Sequence, residues 1–305
     1  MGWDGGVIPA VESWALPDVG RRLTDYLELT KPRIVAMVLV TTSVGFYLGS
    51  AGVPQMGLLL HALGGTMLAA AGTLALNQHL ERDLDARMER TRRRPLPDGR
   101  LTAGEALAVG TILLGVGLGW LGVAVNGLTA GVTATIAVVY LGLYTPLKRW
   151  SALCSIVGAI PGALPPVAGW AAARGSLGVE PWILFAIMFL WQIPHSLAVA
   201  QLYRDDYERA GIRLLPVIDR DGPSTGMHVV SNCLALLPTA LLPTLVGLAG
   251  PVYFLVSFVL SLGFLWMGIV LARTRALADA RRLLFASLVY LPVLLTVMAL
   301  DKLSW

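Results

Sequence analysis

Long apolar stretches alternate with short polar segments along almost the whole chain. Runs long enough to cross a roughly 30 Å hydrocarbon layer can be marked at 33–53, 56–78, 102–124, 127–147, 153–173, 181–203, 228–249, 251–272 and 283–300. This pattern predicts nine membrane-spanning helices and an all-α, polytopic membrane protein. Residues 1–30 form a segment ahead of the spans, and 31–305 read as one nine-helix domain. The links GVPQ, VNGLT and LAGP on one side are minimal. The two long polar segments, 79–101 and 203–226, both follow an even-numbered span and so share the other side. Their acidic clusters, near Glu81 and Asp205, are four spans apart, as expected of two similarly oriented four-helix halves with a ninth helix appended.

Within the spans, Gly115 and Gly119 are spaced for close helix packing. Pro161, Pro165 and Pro166 predict a bent or broken fifth helix, and Pro194 a kink in the sixth. A membrane tolerates such breaks only where neighbours or cavity water satisfy the freed carbonyls.

Composition agrees with the hydropathy pattern. The 305 residues are 56% hydrophobic and 14% charged, with a mean hydropathy of +0.70; soluble domains carry roughly 25% charged residues. The basic balance, with a pI near 9.3, reflects topology rather than nucleic-acid binding, because 21 of the 23 Lys and Arg fall on the side of the long loops. The positive-inside rule makes that side, and the N-terminus, cytoplasmic, and puts the C-terminus outside. The opening residues lack the basic start and apolar core of a secretory signal, and the Arg- and Ser-rich, acid-poor character of a transit peptide. A bacterial plasma membrane is therefore expected. Cys154 and Cys233 fall inside spans without metal-ligand spacing and read as apolar fillers.

The chemistry concentrates in the polar loops. NQHLERDLDARMERTRRRPLPDGR, from position 77, holds five acids and seven arginines. If the second helix continues into it, Asn77, Glu81 and Asp85 drift only about 80° over a rise of about 12 Å and form one stripe. Two carboxylates and an amide offer hard oxygens suited to Mg²⁺, which binds through one or two carboxylates plus substrate phosphates. The plainer alternative is a solvated helix end laced by pairs such as Glu89 with Arg93. In WQIPHSLAVAQLYRDDYERAG, Gln192, His195 and Asp206 lie within about 60° of one another on a regular helix, with Asp205 about 100° away. Polar residues inside a span are costly unless paired or facing a cavity. His61 and His228 have no polar company and read as structural. Lys148 and Arg149 in YTPLKRW lie on the same side as both acidic clusters. Carboxylates for a divalent cation beside basic donors suit a diphosphate at the membrane surface. An isoprenyl diphosphate, ionic at its head and apolar in its tail, fits such a place.

The Asn77, Glu81 and Asp85 stripe resembles the signature of the UbiA superfamily of intramembrane prenyltransferases. NQHLERDLDARMERTRRRPLP, YTPLKR, GALPPVAGW, WQIPH and YRDDYERAGIRLLP resemble its heme O synthase branch, with similarity running from TKPR at position 30 to LLP at 216. The resemblance implies helices around a central cavity and farnesyl transfer from farnesyl diphosphate to a vinyl group of heme b, with water adding to give heme O. It implies Mg²⁺ on Asn77, Glu81 and Asp85, with Asp205 and Asp206 in a second metal site. Lys148, Arg149 and some of Arg90, Arg93 and Arg94 would take the diphosphate, and Gln192, His195 and Tyr203 the acceptor. A heme A synthase or terminal oxidase is the implied assembly partner. His195, Ser196 and Tyr203 stand where many quinone-pathway relatives have aspartates, Glu81 replaces the usual middle aspartate, and Ser155 stands in place of Asn. For His195, iron ligand, proton acceptor and hydrogen bonder all stay open.

Two other readings use the same features. A relative acting on a quinone precursor or other aromatic acceptor would share the first stripe, but WQIPH and the carboxylate-poor second cluster disfavour it. A transporter would also use broken helices and midplane polar residues, yet almost all the acids lie at one face rather than at mid-depth.

Overall fold

A computed structural model describes residues 19–303. Positions 1–18 of the segment ahead of the spans lie outside the described residues. Among the described residues, nine helical segments are long and apolar enough to cross a membrane, as the hydropathy pattern predicts. In chain order they are α2 (Pro32–Gly49), α3 (Met56–Asp85), α4 (Ala103–Ala124), α5 (Gly127–Val138) running on through a π-helical turn, Val139–Tyr144, to α6 (Thr145–Leu147), then α7 (Cys154–Ala163) with α8 (Pro165–Arg174), α9 (Glu180–Leu202), α12 (Pro223–Leu245), α13 (Pro251–Thr274) and α14 (Leu277–Leu300). Three further helices lie between or before them: α1 (Val19–Leu29), α10 (Arg204–Arg209) and α11 (Leu215–Ile218).

The departures from ideal helix have local causes. The fifth span breaks at Leu164, because Pro165 and Pro166 have no N–H to give the carbonyls of Pro161 and Gly162. Pro146 deprives the preceding turn of a donor in the same way, and there the helix widens into the π segment. The sixth span runs unbroken through Pro194 and stops at Leu202, where Tyr203 leaves helical geometry at φ −112 and ψ 27. The second span continues to Asp85, beyond the expected end at 78, so the NQHLERDLD stretch is helix rather than loop.

Glycines set how closely the helices approach, though not the pair expected. Gly115 and Gly119 face open space. The contact is made instead by Gly65 and Gly72 of α3 against Gly110 and Gly117 of α4. A Cβ on Gly72 would stand 2.4 Å from the Leu114 nitrogen, and one on Gly117 2.4 Å from the Ala69 nitrogen. The α2–α8 crossing is tighter, with a Cβ on Gly45 falling 2.0 Å from the Pro166 carbonyl oxygen and one on Gly169 2.0 Å from that of Thr42. The largest apolar core lies among α7, α9, α12, α13 and α14, around the buried Tyr253, Phe264 and Tyr290.

Arg174 and Lys302, the two basic residues that the hydropathy pattern puts on the sparsely charged side, cap one helix end. Arg174 donates to Gly49 O at 2.7 Å, and Lys302 donates to Tyr47 O and Ser50 O, each at 2.7 Å. Cations at the C-terminus of α2 satisfy carbonyls that the helix leaves over and favour its dipole. At the opposite end, α1 is held against the bundle. Arg100 pairs with Asp25, Glu28 and Asp98, and Gln78 donates to the Leu29 and Glu28 carbonyls at 2.8 and 3.2 Å.

The glycine contacts give a direct test. Gly169→Ala drives a methyl into the α2 backbone and lowers stability by about 1–3 kcal/mol. Gly115→Ala, with open space around it, leaves the protein as stable or raises stability by up to about 1 kcal/mol. Thermal unfolding in detergent compares the two.

Candidate active site

The residues of α3 selected by their four-residue spacing turn inward together. Asn77 is 1% exposed, Glu81 7% and Asp85 1%, whereas Asp83 points outward. Each of the three side chains accepts from a basic residue in a different part of the chain. Lys31 Nζ donates to Asn77 Oδ1 at 2.9 Å, Lys148 Nζ to Glu81 Oε1 at 2.6 Å and Arg94 Nη1 to Asp85 Oδ2 at 2.7 Å. Asn77 Nδ2 donates to Thr145 Oγ1 at 3.1 Å, and that hydroxyl in turn donates to Tyr140 O at 2.8 Å, which ties the cradle to the π turn. Lys31 occupies the left-handed region at φ 51, a strained conformation for a side-chain-bearing residue that turns the chain from α1 into α2. Burial, reinforced by neighbouring Arg94, draws the Lys31 ammonium down to about 7. Burial also works against the charge of Lys148, but its charge interactions with Tyr144 and Glu81 outweigh that and hold it above the usual lysine range; its Nζ lies 4.3 Å from the Tyr144 ring centroid.

Asp85 Oδ1 is buried without a hydrogen-bond partner. This orphaned carboxylate oxygen shares one stripe of α3 with the Glu81 carboxylate and the Asn77 amide, and such hard oxygens are of the kind Mg²⁺ takes. Among the described residues, no three His, Cys, Asp or Glu gather closely enough to hold a metal by themselves. A cation here would therefore complete its shell with water or substrate oxygens.

Next to the cradle lies a cavity of about 460 Å³ between α2, α3, α5, α7 and α9. Its wall is mostly aliphatic, with Tyr140 and Tyr144 among the lining residues. Its polar points include Thr66, Thr133, Ser155, Gln192 and His195. The Thr66 and Thr133 hydroxyls have no partner in the protein. Gly158 and Gly162 are glycine for a reason of space: a Cβ would strike the Tyr144 ring at 2.5 Å and the Gln192 amide at 2.2 Å.

The second acidic cluster does not continue this arrangement as the helical spacing predicts. The helix ends at Leu202, so Asp206 sits on α10 and shares no face with Gln192 and His195. Its carboxylate accepts the backbone N–H groups of Glu89 and Arg90, at 3.3 and 3.4 Å, and pairs with Arg209, clasping the loop that follows α3. Burial opposes its charge, but the Arg209 hydrogen bond and these two amides outweigh it and depress the carboxyl below the usual range. Asp205 is exposed. Arg90 donates to Tyr207 Oη at 3.2 Å and lies over the Tyr203 ring, while Arg93 and Arg149 are exposed. Glu89 pairs with Arg92 rather than with Arg93. Of the expected site residues, the structure gathers Asn77, Glu81, Asp85, Lys148 and Arg94 in the cradle, and Gln192 and His195 on the cavity wall. Lys31, Tyr140, Tyr144 and Thr145 had no assigned place in the site. TKPR was legible as a motif, but its lysine stood among the topology charges.

Fold and site together define a multi-pass helical membrane protein with a buried ionic cradle beside a mostly apolar cavity. The chain belongs to the UbiA prenyltransferase family, whose model matches residues 38–289. It is 46% identical over 292 residues to the protoheme IX farnesyltransferase of Solibacter usitatus, covering 92% of this chain and 99% of the relative. It is 45% identical over 296 residues to that of Koribacter versatilis, covering 94% and 96%. Among solved structures it resembles a digeranylgeranylglyceryl phosphate synthase, with a TM-score of 0.79 and 16% identity over 92% of this chain and 98% of that one. It also resembles a UbiA homolog from Archaeoglobus fulgidus bound to DMAPP and Mg²⁺, with a TM-score of 0.63 and 16% identity over 90% and 99%.

The clasp by Asp206 predicts a pH dependence. A carboxyl depressed in the folded state contributes stability above its unfolded value, about 3.9, and loses it as pH falls through the folded value. The protection of the Glu89 and Arg90 amides, taken relative to the intrinsic exchange rate at each pH, is expected to stay high above pH ~4 and to fall below it. Asp206→Ala removes the protection at every pH.

Proposed function

We propose that the chain transfers the farnesyl group of farnesyl diphosphate to a vinyl group of heme b, with addition of water, giving heme O and diphosphate. The observation that carries this reading is the junction of a buried cradle, two carboxylates among three cations, with an apolar cavity large enough for a prenyl chain. The 46% and 45% identity to protoheme IX farnesyltransferases over nearly their whole length supports heme b as the acceptor. Residues 31–305 act as one domain in the plasma membrane of a bacterium, with the cradle at the cytoplasmic leaflet. The excess of Lys and Arg on that side supports the orientation.

In this reading Asp85, Glu81 and Asn77 would hold Mg²⁺, which when bound would supply neutralisation of charge on the diphosphate oxygens. Lys31, Lys148 and Arg94, now paired with those acceptors, turn to the diphosphate and stabilise the same charge through directed donors. From Asn77 to Thr66 the α3 wall extends about 16 Å at the helical rise, a length suited to an extended farnesyl chain. Tyr140 and Tyr144 line the cavity, and their rings are suited to stabilise an allylic cation formed as the carbon–oxygen bond breaks. The apolar wall keeps water from that cation until the vinyl carbon attacks. Gln192 and His195, on α9, face the acceptor.

Incubating the solubilised protein with heme b, farnesyl diphosphate and Mg²⁺ is expected to release diphosphate and give a more hydrophobic porphyrin, read by chromatography. Product with 4-hydroxybenzoate and none with heme would overturn the acceptor assignment. Asp85→Ala is expected to lower turnover by at least about 100-fold, as for loss of a group stabilising the leaving charge, while the protein stays folded in the membrane. Wild-type activity in that variant would remove the metal role.

A further inference from the structure

Among the described residues, three buried threonine hydroxyls have no partner in the protein: those of Thr42, Thr66 and Thr133, residues 1%, 3% and 5% exposed. Neighbours on the same helices differ, since Thr41, Thr73 and Thr135 return their hydroxyls to carbonyls of their own helix. The three unpaired hydroxyls stand at one level of the bundle. Thr42 precedes Phe46 by four residues and Thr66 follows Ala62 by four, and Phe46 and Ala62 pack in one cluster between the antiparallel α2 and α3. Asn126 Nδ2 donates to Ala171 O at 3.0 Å. Thr133 lies seven residues after Asn126 and Leu164 seven before Ala171, so the antiparallel α5 and α8 bring Thr133 level with Leu164. The fifth span breaks at Leu164, where Pro165 and Pro166 interrupt the helical hydrogen bonding. Gly45 of α2 meets Pro166 of α8, which sets Thr42 beside the same break.

Thr66 and Thr133 are also the residues of α3 and α5 farthest from the cradle on the cavity wall; Ala69, Thr73, Ile136 and Tyr140 lie nearer to it. They precede Asn77 and Thr145, which are hydrogen-bonded to each other, by eleven and twelve residues. Both helices thus give the cavity the same depth, about 16–18 Å at the helical rise. A buried hydroxyl left unpaired is costly, and the partner that the cavity can bring to these two is water. We propose that Thr66 and Thr133 form a hydrated floor that fixes the length of prenyl chain the cavity accepts. The inference rests on the prenyl diphosphate reading above and adds what stops the tail. With the diphosphate at the cradle, three extended isoprene units reach the level of the hydroxyls. A fourth unit displaces their water and leaves both hydroxyls against hydrocarbon, a penalty that the shorter chain does not meet. A chain of two units stops short and forgoes the burial of a whole unit. Thr42 shares the level but not the cavity wall, so it stands outside the floor.

The test measures binding of non-hydrolysable thiolodiphosphate analogues of two, three and four isoprene units, with Mg²⁺ and without any acceptor, to the full chain in detergent micelles. Wild type is expected to bind the three-unit analogue at least about tenfold more tightly than the four-unit one. Thr66→Val combined with Thr133→Val, which exchanges each hydroxyl for a methyl, is expected to cut that preference to less than about twofold. Thr66→Ser combined with Thr133→Ser keeps the hydroxyls and is expected to keep the preference, and Thr42→Val is expected to leave it at the wild-type value. Because no hydrogen bond within the protein is lost, the thermal midpoint of the valine pair is expected to be no lower than that of wild type. A wild type that binds the three- and four-unit analogues alike, or a folded valine pair that keeps the preference, overturns the floor and leaves the transfer reaction standing. A valine pair that fails to fold makes the hydroxyls structural and overturns the floor as well. A wild type that binds none of the analogues overturns the prenyl diphosphate reading with it.

Discussion

Two carboxylates buried at the end of a membrane-spanning helix are the constraint on which the rest of this structure depends. An ionised carboxylate loses several kcal/mol on leaving water, and recovers it only through close, hydrogen-bonded opposite charge. Glu81 and Asp85 find that charge in Lys148 and Arg94, and the amide between them and the lipid, Asn77, takes Lys31. The three cations come from the turn before α2, the loop after α3 and the turn after α6. Three chain segments far apart in sequence are thereby brought to one point. The Arg100 network, the Gln78 bonds to α1 and the Asp206 clasp all hold the segments that deliver these cations. Much of the polar structure at this end of the bundle positions these three donors.

Beside that ionic point the chain keeps a cavity by the same economy of small residues. Gly45 with Gly169, and Gly72 with Gly110, let helices touch backbone to backbone outside the cavity, while Gly158 and Gly162 make room on its wall for Tyr144 and Gln192. The prolines interrupt helices where the interruption faces this space, at Leu164 and in the π turn. In the proposed reading a diphosphate head and its apolar tail would be met by two neighbouring environments. Separation of charge between them would be favoured on one side by cations and protected from water on the other.

Much of this was legible in the chain itself. Nine spans followed from hydropathy, and the Asn77, Glu81 and Asp85 stripe from four-residue spacing, because both depend only on local periodicity. The reading failed where local geometry changed without a strong sequence signal. Tyr203 ends α9, so the helical spacing that joined Asp206 to His195 did not apply, and Asp206 became a loop clasp. Gly115 and Gly119 matched a packing pattern, but which glycines meet a neighbour depends on how α4 is rotated, and periodicity does not fix that. α1, eleven residues long, is shorter than any span and is held by contacts to Arg100 and Gln78 well beyond its own sequence. Lys31 and Thr145 lie dozens of residues from Asn77, so their roles emerge only in the fold. Lys31 in particular stands among many basic residues of one face, where topology alone accounts for a lysine.

The claim that an ionic cradle exchanges its internal partners for substrate is tested most directly by a structure with Mg²⁺ and a non-hydrolysable farnesyl diphosphate analogue. The account predicts the metal against Asp85 Oδ1 and Glu81, with Lys31, Lys148 and Arg94 swung from α3 onto the diphosphate oxygens and the tail beneath Tyr140 and Tyr144. A diphosphate bound away from α3, with those three pairs intact, would contradict it.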